Sequence, residues 1–98
     1  MACKIVWSPA SRDDLRDIVR FIALDNAERA ESFAYELMAK TDALQEHPEL
    51  GRSVPECRDP RVRELIFRPY RIVYRFDPDR KLVEIARVWH AARGTPKV

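Results

Sequence analysis

The chain has 98 residues, 46% hydrophobic and 35% charged, which is apolar content for one small core and too little length for two. No stretch approaches the roughly 20 apolar residues that a membrane helix needs, and Met1-Ala2-Cys3-Lys4 leads straight into a short strand, so a single cytoplasmic domain over residues 1–98 without a membrane partner is expected. Two cysteines, Cys3 and Cys57, make no disulfide framework, and neither they nor His47 and His90 have the spacing of a metal site, so no metal and no cofactor is expected.

The first element in chain order is Ile5-Val6-Trp7, an apolar run closed by Ser8-Pro9, which reads as a strand that stops abruptly. A helix should follow at once, with Ser8 as N-cap and Pro9 at the first helical position, where a missing amide costs nothing. Leu15, Ile18, Val19 and Ile22 form its apolar stripe, and Asp13, Asp14 and Asp17 sit toward the positive end of its dipole. Asp25-Asn26 breaks the period and offers a second N-cap. Ala30, Phe33, Ala34, Leu37, Thr41 and Leu44 then repeat the helical spacing until Pro48 ends it. So short a connection makes the two helices an antiparallel hairpin, and neither buries its stripe without a sheet.

Residues 47–61 hold three prolines and a glycine and read as one long ordered loop. Beyond it, Val62–Phe67, Tyr70–Phe76 and Leu82–Trp89 are rich in β-branched and aromatic residues and read as an antiparallel meander. In the middle strand Tyr70, Ile72, Tyr74 and Phe76 share one face and Arg71, Val73 and Arg75 the other. The first set should face the helices, leaving Arg71 and Arg75 on an open concave side. The last strand alternates less cleanly, which fits a bulge or burial on both faces, and Ala91 to Val98 reads as a basic, mobile tail.

Charge divides the chain in two. Residues 1–50 carry six Lys or Arg against ten Asp or Glu, net −4; residues 51–98 carry twelve against six, net +6. Ten of those twelve are arginine, whose planar fork suits phosphates, carboxylates and aromatic faces, so this half is either built to meet something anionic or is a solvated sheet face.

The order strand, helix, helix, long loop, three antiparallel strands resembles the α+β fold of the RelE/ParE toxin superfamily over essentially the whole chain. Landmarks in register carry the resemblance: Trp7-Ser-Pro-Ala10 before Asp14-Leu15, His47-Pro48 before Gly51-Arg52-Ser-Val54-Pro-Glu56, Arg63-Glu-Leu65, Tyr70-Arg-Ile-Val-Tyr74, and Val88-Trp-His90-Ala-Ala-Arg93. The Gly-Arg-x-Val-Pro-Glu loop and the closing His-x-x-Arg look most like the ParE branch. The resemblance implies a type II toxin neutralised by a cognate, ParD-like antitoxin, which could add a strand to a sheet edge or lay an amphipathic helix against the hairpin.

Two modes of action follow from the two branches. ParE-like members block DNA gyrase by binding it, and the target-binding candidates here are Arg71, Arg75, Arg87, Trp89, His90 and Arg93, arginine and tryptophan being common interface anchors. RelE-like members cut messenger RNA on the ribosome without a metal, which needs an acid, a base and cations around the phosphate. For that chemistry the candidates are Arg71, His90, Glu64 and Arg63. The lysine cluster of RelE is missing, and Ala91 stands where related nucleases place an aromatic, so the gyrase reading is favoured. A non-toxic binding module of the same fold is a third alternative. Each candidate also has a plain structural role open to it: Trp89 as core, His90 as a hydrogen-bonded structural residue, Arg71 as the partner of Glu64 or Glu84.

Overall fold

The structure is a computed structural model that describes residues 2–98; Met1 lies outside the described residues. Strand β1 (Lys4–Trp7) leads into helices α1 (Pro9–Ala23) and α2 (Ala27–Asp42), and a short 3-10 turn, Ala43–Gln45, ends the helical half. Strands β2 (Arg52–Ser53), β3 (Val62–Phe67), β4 (Tyr70–Asp77) and β5 (Leu82–His90) follow, with a last 3-10 turn at Ala91–Arg93. Both helices begin where the capping chemistry puts them: the Ser8 hydroxyl accepts the Ser11 amide, and the Asn26 side chain accepts the Arg29 amide.

The expected antiparallel meander is present as β3-β4-β5, and two further strands extend it to a five-stranded mixed sheet ordered β1-β5-β4-β3-β2. β1 pairs in parallel with β5, Lys4 opposite Leu82 and Trp7 opposite Ile85. β2 adds two residues to the other edge, opposite Glu64 and Arg63. The irregular last strand does contain a bulge, with Val73 opposite Arg87 and Tyr74 opposite Ile85, so Ala86 is the extra residue. Ser8, where β1 gives way to α1, donates its hydroxyl to the Ala86 carbonyl at 2.9 Å.

The helix-facing core is apolar. Leu37 and Leu44 meet Leu65, Ile72, Tyr74, Val83, Ile85 and Val88, with Leu15, Ile18 and Phe33 packed around them. Fully buried aliphatic side chains such as Ile72 and Ile85 contribute about 1.5–3 kcal/mol each. Tyr74 reaches through this layer to the loop, where its hydroxyl accepts the Gly51 amide at 2.9 Å and donates to the Pro48 carbonyl at 2.8 Å. A side chain at position 51 would lie 2.7 Å from the Tyr74 ring and from the Glu64 carbonyl, so only glycine allows this approach.

Two expectations for the far side of the sheet are corrected. Arg71, Val73 and Arg75 do point away from the helices, but that side is not open: Val54 packs on Val62 and Val73 with Cys57 beside them, and Arg71 is 8% exposed. By folding back, the loop buries Val62 and Val73, the two sheet valines that face away from the helices. The C-terminal tail is not free either, since Pro96 is buried and the Gly94 and Lys97 carbonyls are bonded to side chains of the sheet.

Candidate functional site

The centre of the far side is an ionic cluster. The Arg71 guanidinium donates from Nε to Glu64 Oε1 at 2.6 Å and, as a two-pronged fork, to both carboxylate oxygens of Glu56 at 2.7 and 2.9 Å. Its Nη1 also reaches the Gly94 carbonyl at 3.3 Å. Glu64, 1% exposed, takes a second donor from Arg52 Nε at 2.8 Å. Two carboxylates thus meet two guanidinium groups, and each member of the cluster has a partner of opposite sign. The fork on Glu56 lowers that carboxyl from its ordinary 4.5 to about 2, and the same bonds raise the Arg71 guanidinium above its usual range.

Beside this cluster lies Trp89, 2% exposed, whose indole N–H donates to the same Gly94 carbonyl at 3.2 Å. The Arg93 guanidinium rests over the indole ring at 3.8 Å from its centroid and Arg87 at 4.9 Å. Arg87 forms a bidentate pair with Asp14 of α1, both bonds at 2.8 Å, and Asp14 also accepts the Val88 amide at 3.0 Å. β1 covers only the first half of β5, so that amide would otherwise be an unpaired edge donor. Asp14 is thus spent on the sheet edge and Arg87, not on the helix dipole alone.

His90 stands on the other side of the pleat, opposite Tyr70, with the two rings edge to face at 5.3 Å. Its Nδ1 accepts the Ala92 amide at 3.1 Å, so the ring proton sits on Nε2 and His90 presents a neutral donor. Arg71 and His90 meet only at the rim of a concavity of about 810 Å³ at the end of the sheet, walled by Arg52, Glu56, Ile66, Arg68, Tyr70 and the Ala91-Ala92 turn.

The eight residues singled out in the sequence therefore do not form one site. Arg71 and Glu64 are joined, in the structural pairing open to Arg71. Arg63 lies on the helix-facing side of β3 and donates to the Gly51 carbonyl at 2.9 Å, away from both. Arg75 pairs with Glu84 at 3.1 Å, Arg87 with Asp14, and Trp89 is core, while Arg93 is an exposed residue stacked on the Trp89 ring. Glu56, Arg52, Arg68 and Asp14 were missed. Half of the acids in the basic half, Glu56, Glu64 and Glu84, hold its sheet arginines, and their scarcity there was the available signal. Among the described residues no group of three or more His, Cys, Asp or Glu could hold a metal ion, and no helix is long and apolar enough to cross a membrane.

A second surface lies on the opposite edge of the molecule. Ile5, Val6 and Trp7 of β1, Leu15 and Val19 of α1 and Met38 of α2 line an apolar groove of about 730 Å³, with Arg12, Arg16 and Arg20 along it. β1 is the outer strand there, so its far edge offers unpaired backbone groups.

A helix hairpin on one side of a five-stranded mixed sheet is the architecture of ParE- and RelE-type toxin structures. A chain of the chromosomal ParDE toxin–antitoxin system from P. aeruginosa superposes with a TM-score of 0.72 at 22% identity, over 91% of this chain and 96% of that one. A chain of the toxin–antitoxin complex RelBE2 from Mycobacterium tuberculosis gives 0.59 at 22% identity, over 92% and 99%. Residues 5–94 match the family described as ParE toxin of type II toxin-antitoxin system, parDE, and the chain belongs to that family. No curated protein sequence matches it.

Proposed function

We propose that this ParE-family toxin acts by binding and inhibiting DNA gyrase, and that a cognate antitoxin neutralises it. The observation that carries the mode of action is the closed fork of Arg71. A nuclease needs its arginine facing a scissile phosphate, yet here both prongs and Nε are held by Glu56 and Glu64. The remaining base candidates fare no better: Glu64 is buried between two arginines, and the Nδ1 lone pair of His90 is committed to Ala92, leaving that ring only an Nε2–H donor. Binding requires none of these groups to be free.

The groove between β1, α1 and Met38 suits the antitoxin. Its apolar floor fits one face of an amphipathic helix, and Arg12 and Arg20 favour acidic flanks on that helix. Purified protein added to gyrase should suppress supercoiling of relaxed plasmid and leave ribosome-bound messenger RNA intact. Cleavage of that RNA with supercoiling unaffected would reverse the assignment.

A further inference from the structure

We propose that the concavity at the end of the sheet docks an acidic segment of the target protein, seating a carboxylate between Arg52 and Arg68 and an apolar neighbour on Ile66 and Pro69. The inference rests on the reading that the protein acts by binding another protein. It names the chemistry of the contact.

Charge accounting comes first. Glu56 is the one acid lining the concavity, and its carboxylate is already matched by the Arg71 fork, so that pair presents little net field outward. Arg52 is bound through Nε to Glu64, which leaves its two outer nitrogens and their N–H groups directed elsewhere, and its side chain is 61% exposed. Arg68, in the β3–β4 turn, is exposed and lines the same concavity. The local balance is therefore positive, and it is supplied by planar forks that match a carboxylate in geometry.

Shape and polarity narrow the ligand further. Pro55, Ile66, Pro69, Ala91 and Ala92 make most of the lining apolar, and Ile66 is an exposed aliphatic side chain. A volume of about 810 Å³ holds a few side chains. His90, with its proton on Nε2, adds one neutral donor at the wall. Single-stranded nucleic acid would seek an open ring on which to stack a base. At this concavity no such ring lies open: Trp89 is buried beneath Arg93, and Tyr70 lies between Phe33 and His90. A carboxylate beside an apolar side chain uses every group that is available.

The test is a titration of the isotope-labelled protein followed by NMR, with a capped hexapeptide of alternating glutamate and leucine against a uridylate hexamer. The peptide is expected to shift the signals of Ile66, Tyr70 and His90, and Arg68→Glu to weaken it about tenfold or more, the scale of one charge-assisted contact. Arg52→Gln should act in the same direction, with Glu64 still held by Arg71 and circular dichroism confirming an intact fold. Tighter binding of the uridylate hexamer at these signals, peptide shifts elsewhere, or an unchanged affinity in Arg68→Glu would overturn the site. Gyrase separates the two proposals. An Arg68→Glu protein that inhibits gyrase as well as the parent sinks the docking site alone, whereas a parent that binds the peptide here but never inhibits gyrase sinks only the choice of target.

Discussion

The two faces of the sheet are covered by different physics. Toward the helices, Leu37, Leu44, Ile72, Val83 and Ile85 exclude water by area alone, an attraction without direction that tolerates small shifts. On the other face, two valines of the sheet and one of the loop make a small apolar patch, and the rest is held by Arg71, Glu56, Glu64 and the Gly94 carbonyl. Those bonds are directional, so they place the loop and tail in one arrangement. The helix side supplies stability, and the far side supplies shape.

The comparison breaks most visibly at Arg71. Replacing it with alanine leaves Glu64 buried with one partner, and the loss should be about 3–5 kcal/mol in urea unfolding. Replacing Arg71 and Glu64 together with apolar residues should cost much less; equal losses would show that the charges matter only as volume. Acid provides a related test. Because the folded Glu56 carboxyl is depressed to about 2 from 4.5, its contribution is fully present above 4.5 and is lost as the pH falls through about 2. The parent should weaken across that window, and Arg71→Ala should lack this component, as read by denaturant midpoints at successive pH values.

Smaller effects sharpen the contrast. Gly51→Ala forces a methyl against Tyr74 and the Glu64 carbonyl and should cost about 1–3 kcal/mol, with Trp89 fluorescence reporting the disturbed far face. Ile72→Val, on the helix side, should cost about 0.5–1.5 kcal/mol, by the same amount at pH 3 as at pH 7. If the cost of Ile72→Val varied with acid as the Arg71 cluster does, the faces would not be independent.

Much of this architecture is written in local spacing. The cap at Ser8, the second cap at Asn26, the period-two pattern of Tyr70 to Phe76 and the irregularity that became the Ala86 bulge are each decided by neighbours a few residues apart. Alternation also assigned Arg71 to the correct side of the sheet. It could not say what would lie above that side, because the covering residues, Val54, Glu56 and Gly94, come from a loop and a tail with no period to read. β1 and β2 were invisible as sheet members for a related reason. Parallel pairing of Lys4–Trp7 with Leu82–Ile85 leaves no local trace, and a two-residue strand is too short for any pattern. The separation of Arg63 and His90 from Arg71 needed only strand parity for Arg63, but for His90 it depended on where the bulge fell.

The pairing of β1 with β5 also has a temporal meaning. The first strand made is completed by the last, so a ribosome adding roughly 5–20 residues per second extends the chain for several seconds before Leu82–Ile85 can reach Lys4–Trp7. During synthesis the stripe of Leu15 and Ile18 has no sheet to cover it. Any molecule that recognises that stripe encounters an unfinished chain first, with the order of translation giving it a head start over whatever the finished protein would bind.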